Sequence, residues 1–162
     1  MSYIVEKDWT TQAGLRAVVV VHRHRCGYVE VLANHPGFGK TYDEQLDCIT
    51  QEQAASVCIG QKSSILLLTA SCSADNENAI RRSLDIIIDV HGGLTYAGAG
   101  IDSDYPVPSK GWWFGFDCAH YGDAPVEDPE GWYRGKGIIR SLEFCEAQCE
   151  SMAEQLMALV SQ

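Results

Sequence analysis

A chain of 162 residues that is 46% hydrophobic can bury one sizeable core, hiding roughly 70% of its unfolded surface. Its net charge of −10 excludes broad electrostatic attraction to duplex nucleic acid, and it lacks the run of about 18 apolar residues that a membrane-spanning helix needs. The seven cysteines are odd in number, scattered and without a CxxC pair, which argues for reduced thiols and against a disulfide framework or zinc ribbon; with neither a basic nor an apolar leader in MSYIVEKDW, a soluble cytoplasmic protein is expected.

In chain order, LRAVVVVH at 15–22 is a β-branched run and GYVEVLA at 27–33 alternates apolar with polar, so the two read as a hairpin turned at Arg23 to Cys26. NHPGFGKTY from Asn34 to Tyr42 is a loop presenting His35, Phe38 and Lys40. Leu46, Ile49, Ala54, Val57 and Cys58 recur at near-helical spacing, predicting over 43–59 one helix or two short ones broken near Thr50. SSILLLTAS fits a buried strand or a helix end. SADNENAIRRSL reads as a short helix capped by Ser73 or Asp75, and LDIIIDVH as a central strand.

Beyond it, HGG turns the chain, LTYAGAGI and GWWFGFDCAH form two further strands, and the Pro- and Gly-rich 121–137 is loop. Leu142, Cys145, Cys149, Met152, Leu156 and Leu159 face glutamates across an amphipathic helix over 140–160. The fold class is therefore α+β. One domain spans 1–162, a mostly antiparallel sheet with helices packed on one face and a long C-terminal amphipathic helix.

Chemistry concentrates between Asp89 and Asp123. In FDCAHYGD, Asp117, His120 and Asp123 are spaced three apart, and such oxygen and imidazole donors suit a divalent metal, with His91 and Asp89 available to complete the set. The alternative is structural: Asp117 caps a turn, Cys118 packs inside and His120 bonds a loop carbonyl. In DVHGGLTY, Gly92 and Gly93 either admit a ligand to the backbone or simply turn the chain, and His91 is a candidate acid, base or phosphate donor.

In HPGFGKTY, Gly37, Gly39 and Lys40 form only part of a phosphate loop, without the full Walker pattern. Cys26, flanked by Arg23, His24 and Arg25, is a weaker candidate nucleophile. Trp112, Trp113 and Phe114 are consecutive, so a strand cannot bury all three on one face, and a Trp or Tyr96 is available to stack on a base. Arg16, Arg23, Arg25, Lys40, Lys110, Arg134, Lys136 and Arg140 lie near these motifs, which makes a basic pocket on an acidic body one reading and solvated surface charge the other.

HRCGYV, HPGFGKTYD, DVHGGLTYAG and GWWFGFDCAHYGD, in this order and ahead of the C-terminal helix, resemble an uncharacterised family of small proteins encoded by bacteriophages and prophages. The resemblance covers about 15–42 and 86–160 and marks 43–85 as an insertion; it carries no activity. A phage origin implies interference with host defence, in some such proteins by sequestering or cleaving a nucleotide messenger. The leading expectation is a binder of a small nucleotide-like ligand in the host cytoplasm, using His91, Gly92, Gly93, Tyr96, Trp112, Trp113, Asp117, His120, Asp123, Lys40 and Arg25. The alternatives are a metal-dependent hydrolase of such a ligand, with catalytic His91, His120 and Asp117 and metal ligands Asp117, His120 and Asp123, and an inhibitor docking on a host effector. Homo-oligomerisation is compatible with each.

Overall fold

The run Ala17 to Val20, β-branched from Val18 onward, places its alternate side chains in two different cores. The computed structural model describes residues 3–54, 72–73, 76–80, 82–101, 104–133 and 135–160. Its elements are β1 (Ile4–Thr10), β2 (Arg16–Val21), β3 (Arg25–Val31), β4 (Cys72–Ser73), β5 (Asn76–Ile80), α1 (Leu84–Ile87), β6 (Tyr96–Ala99), β7 (Trp112–Asp117) and α2 (Leu142–Ala158). Five strands form one antiparallel sheet in the order β1-β2-β3-β7-β6, and β4 pairs with β5 separately. The architecture is α+β, as the periodicities predict.

Ala17, Val19, Val29, Val31, Phe114 and Phe116 face α2 and join its buried stripe of Cys145, Cys149, Met152, Ala153 and Leu156. Val18, Val20, Tyr28 and Trp113 face the other way, into a smaller core with Tyr3, Tyr96 and Tyr105 packed against it. This is the two-residue period of a strand read on both sides. Two glycines let aromatic rings cross the sheet: a Cβ at Gly27 would lie 2.4 Å from the Phe116 ring, and one at Gly115 2.4 Å from Tyr28. Each glycine stands opposite the ring it admits, Gly27 with Phe116 and Gly115 with Tyr28.

α2 starts where Ser141 Oγ accepts from Phe144 N–H at 3.1 Å. Near its end, buried His35 bonds the Leu156 carbonyl through Nε2 at 2.9 Å while Nδ1 accepts from Gly37 N–H. Those two bonds fix a neutral ring with the proton on Nε2, and burial lowers its pKa. His35 is thus a pin between the HPGFG loop and α2, not a side chain presented by the loop.

Four sequence readings are corrected. β1 was not among the expected strands; its Glu6, Lys7 and Asp8, with a register shift between Val5 and Lys7, suit a charged edge strand. Residues 43–50 are turns, with helix in the described part of that stretch only at 51–54; Leu46 N–H bonds Arg82 O and Gln45 bridges Ser83, so this backbone is used in pairing across the chain. The expected helix after Ser73 is the β4–β5 pair, with Ser73 opposite Asn76. LDIIIDVH is not a central strand: it opens with α1, which puts both Leu84 and Ile87 into the core, as spacing by three on a helix allows. SSILLLTAS, at 63–71, lies outside the described residues.

Gly27→Ala should destabilise the protein by about 1–3 kcal/mol, because the added methyl overlaps both Phe116 and Cys149. The check is a fall in the urea midpoint with an unchanged slope.

Candidate functional site

Asp123 follows the β7 strand by six residues, and its side chain is wholly buried. Asp123 Oδ1 accepts from Arg140 Nε at 2.7 Å. Oδ2 accepts from His91 Nε2 at 2.7 Å and from the His120 backbone N–H at 3.1 Å. Three chain segments therefore meet on one carboxylate. Burial alone would raise its pKa, but the bonds from His91, Arg140 and His120 outweigh that and hold it below the ordinary aspartate value.

The HGG turn is shaped for the same cluster. Gly92 and Gly93 have φ of 70° and 85°, the region that favours glycine. A Cβ on Gly92 would lie 1.9 Å from His120 Nε2, so the imidazole rests on the glycine itself. His91 N–H is held by Gln148 Oε1 of α2 at 2.7 Å, and the His91 ring stands edge-on to His120 and Phe144, with centroids 5.6 and 5.3 Å apart. Asp117 Oδ1 caps Ala119 N–H at 2.9 Å and lies 3.6 Å from His120 Nε2.

Beside this cluster opens a cleft of about 510 Å3, lined by Ala119, His120, Tyr121, Gly122, Asp123, Tyr133, Lys136 and Gly137. Its outer wall is the Gly-rich loop, which is tied down at several points. Asp123 bridges Ile138, and Asp128 accepts from Trp132 and Tyr133 N–H. His24 donates through Nδ1 to Cys118 O at 2.8 Å and stands edge-on to Tyr133. Among the described residues, no carboxylate pairs with Lys136.

The structure gathers His91, Gly92, Gly93, Asp117, His120 and Asp123 and separates the other candidates from them. Trp113 is fully buried, with Nε1 on Ser109 Oγ at 2.9 Å. Trp112 packs near Phe38 at the far end of β7, and Tyr96 sits among Tyr28 and Tyr105 on the sheet face away from α2. None of the three lines the cleft. The register sets Val31 opposite Trp112 and Cys26 opposite Asp117, so the loop carrying Lys40 leaves the opposite end of the sheet; Lys40 pairs with Glu44 there. Arg25 lies at the correct end but holds Glu6 with Nε and Nη2 and Arg140 O with Nη1.

Of the cations that a basic pocket would draw on, Arg16, Arg23, Arg25 and Lys40 each have an acidic partner, which favours the surface-charge reading for these four. Among the described residues no three His, Cys, Asp or Glu side chains converge as metal ligands, and both oxygens of Asp123 are already accepting hydrogen bonds. Nor is Cys26 activated: burial pushes its thiol up to about 11, away from the thiolate a nucleophile needs. Tyr121 and Tyr133 had no signal in the sequence, because a loop carries no periodicity to say which way a ring points.

Asp123→Asn should lower stability on the order of 3 kcal/mol at neutral pH, by leaving Arg140 without its counter-charge and changing the bond to His91. A carboxylate with a depressed folded pKa contributes fully above its unfolded value of about 4 and loses that contribution as pH falls toward the folded value. The gap between wild type and Asp123→Asn should therefore be constant from pH 7 to about 5 and narrow below about 4, read by denaturant melts at each pH.

Compared with known proteins, the chain matches no family model, no curated protein and no solved structure.

Proposed function

We propose that this chain binds and sequesters a small nucleotide-like ligand in the cleft at the Asp123 cluster. The observation that carries this reading is the lining: Tyr121, Tyr133, His120 and Lys136, which pairs with no carboxylate among the described residues, border one open volume on an otherwise acidic body. Tyr121 is fully exposed, so a planar base can reach a ring without any rearrangement of the core. Lys136 supplies charge for an anionic group, and the loop backbone at Gly122 and Gly137 has no side chain to keep a ligand away.

Binding is favoured over metal-dependent hydrolysis because both Asp123 oxygens already accept hydrogen bonds from His91, Arg140 and His120, and among the described residues no three His, Cys, Asp or Glu side chains converge. Among the described residues no helix is long and apolar enough to cross a membrane, and the resemblance to phage-encoded proteins supports a role in the host cytoplasm against a nucleotide immune signal.

The test is to incubate the purified protein with a panel of cyclic and ADP-ribose-type nucleotides, remove free ligand, and analyse by chromatography what heating releases. One nucleotide is expected to be retained and returned unchanged, with or without EDTA. A cleaved product would replace sequestration by hydrolysis, and retention of none would remove the small-molecule reading. Tyr133→Ala should weaken binding roughly tenfold or more, the size of one lost stacking contact, with little change in melting temperature.

A further inference from the structure

We infer that the Arg140 guanidinium is an oxyanion seat that receives the phosphoryl group of the ligand, with His91 positioning it through their shared carboxylate, a role that rests on the nucleotide reading above. Both side chains are anchored from behind by the same carboxylate. Arg140 uses Nε on Asp123 Oδ1, and His91 uses Nε2 on Oδ2. Both also pack on one ring: the Arg140 guanidinium carbon is 4.8 Å from the Phe144 ring centre and the His91 centroid 5.3 Å. The Arg140 carbonyl is held in turn by Arg25 Nη1 at 2.8 Å, which fixes the backbone that carries the guanidinium.

These anchors use only one nitrogen of each group. Arg140 Nη1 and Nη2 and His91 Nδ1 have no hydrogen-bond partner among the described residues, and none is among the enclosed polar atoms. The side chains keep 25% and 17% of their exposure. A guanidinium pinned at Nε and stacked on a ring has lost most of its side-chain freedom before any ligand arrives. Its two outer nitrogens then form a fork of fixed direction, the geometry that suits a phosphate with two parallel bonds. Arg25, by contrast, spends its three nitrogens on Glu6 and a carbonyl. Arg140 is the arginine of this cluster whose fork remains open, and its Nε bond ties it to Asp123, a residue of the cleft lining.

The decisive variant is Arg140→Lys, which retains a cation for Asp123 but removes the fork. Titration with inorganic phosphate, followed by 31P NMR and calorimetry, should show binding to wild type weakened roughly tenfold by Arg140→Lys, with the melting temperature nearly unchanged. His91→Gln should weaken phosphate binding as well and serves as the second readout where Arg140→Lys folds poorly. Lys40→Ala, at the other end of the sheet, should leave it as in wild type. Phosphate held equally by wild type, Arg140→Lys and His91→Gln overturns the seat. A nucleotide retained equally by wild type and Arg140→Lys also overturns it while leaving the cleft reading intact; phosphate bound through Arg140 with no nucleotide retained keeps the seat and removes the nucleotide reading.

Discussion

The Asp123 carboxylate is the point on which the lower end of the molecule depends. A wholly buried charge is costly unless it is paired and hydrogen-bonded, and here it is met by an arginine, an imidazole and a backbone N–H. These donors come from the start of α2, from the HGG turn and from the turn after β7. That convergence is one of the anchors of the stretch from Tyr121 to Gly137, which contains no helix or strand among its described residues.

The same constraint explains the glycines and the stacking. His120 can lie flat only because Gly92 has no side chain, and Gly92 can turn there only with positive φ. The helix contributes from the other side, with Gln148 holding His91 N–H and Phe144 backing both His91 and Arg140. α2 is itself positioned by the sheet, through Cys149 over Gly27 and through His35 on the Leu156 carbonyl. Packing in the core thus sets the angle at which the polar cluster is presented. A cluster assembled in this way is preorganised, which lowers the ordering cost of binding.

The two ends of the sheet have different characters. At the Trp112 end, the HPGFGK loop closes over the core: Gly37 packs on Leu84 and Phe114, His35 is buried and Lys40 is neutralised. The residues that look most like a phosphate loop in the sequence act there as a plug. At the Asp117 end, Asp117, His91 and His120 keep part of their exposure around the buried Asp123, and the cleft opens beside them.

Much of the framework was legible in the sequence because it rests on period. The Val run, the β3 alternation, the WWFGF strand and the Cys145–Cys149–Met152–Leu156 stripe each repeat at two or at three and four, and each element lies where that period puts it. The elements misread were those without a decisive period: β1, whose charges obscure its alternation, and α1, too short to show a helical repeat. At the site, FDCAHYGD and DVHGG were legible as a concentration of polar side chains and turn-forming glycines, and the structure brings them together around Asp123. Sequence could not say that Asp123 would turn inward to Arg140, seventeen residues on, or that Trp113 and Tyr96 would be consumed by the second core. Those outcomes depend on which side of the sheet each residue meets and on which strands become neighbours, and only the tertiary structure brings together groups that a chain of this length keeps apart.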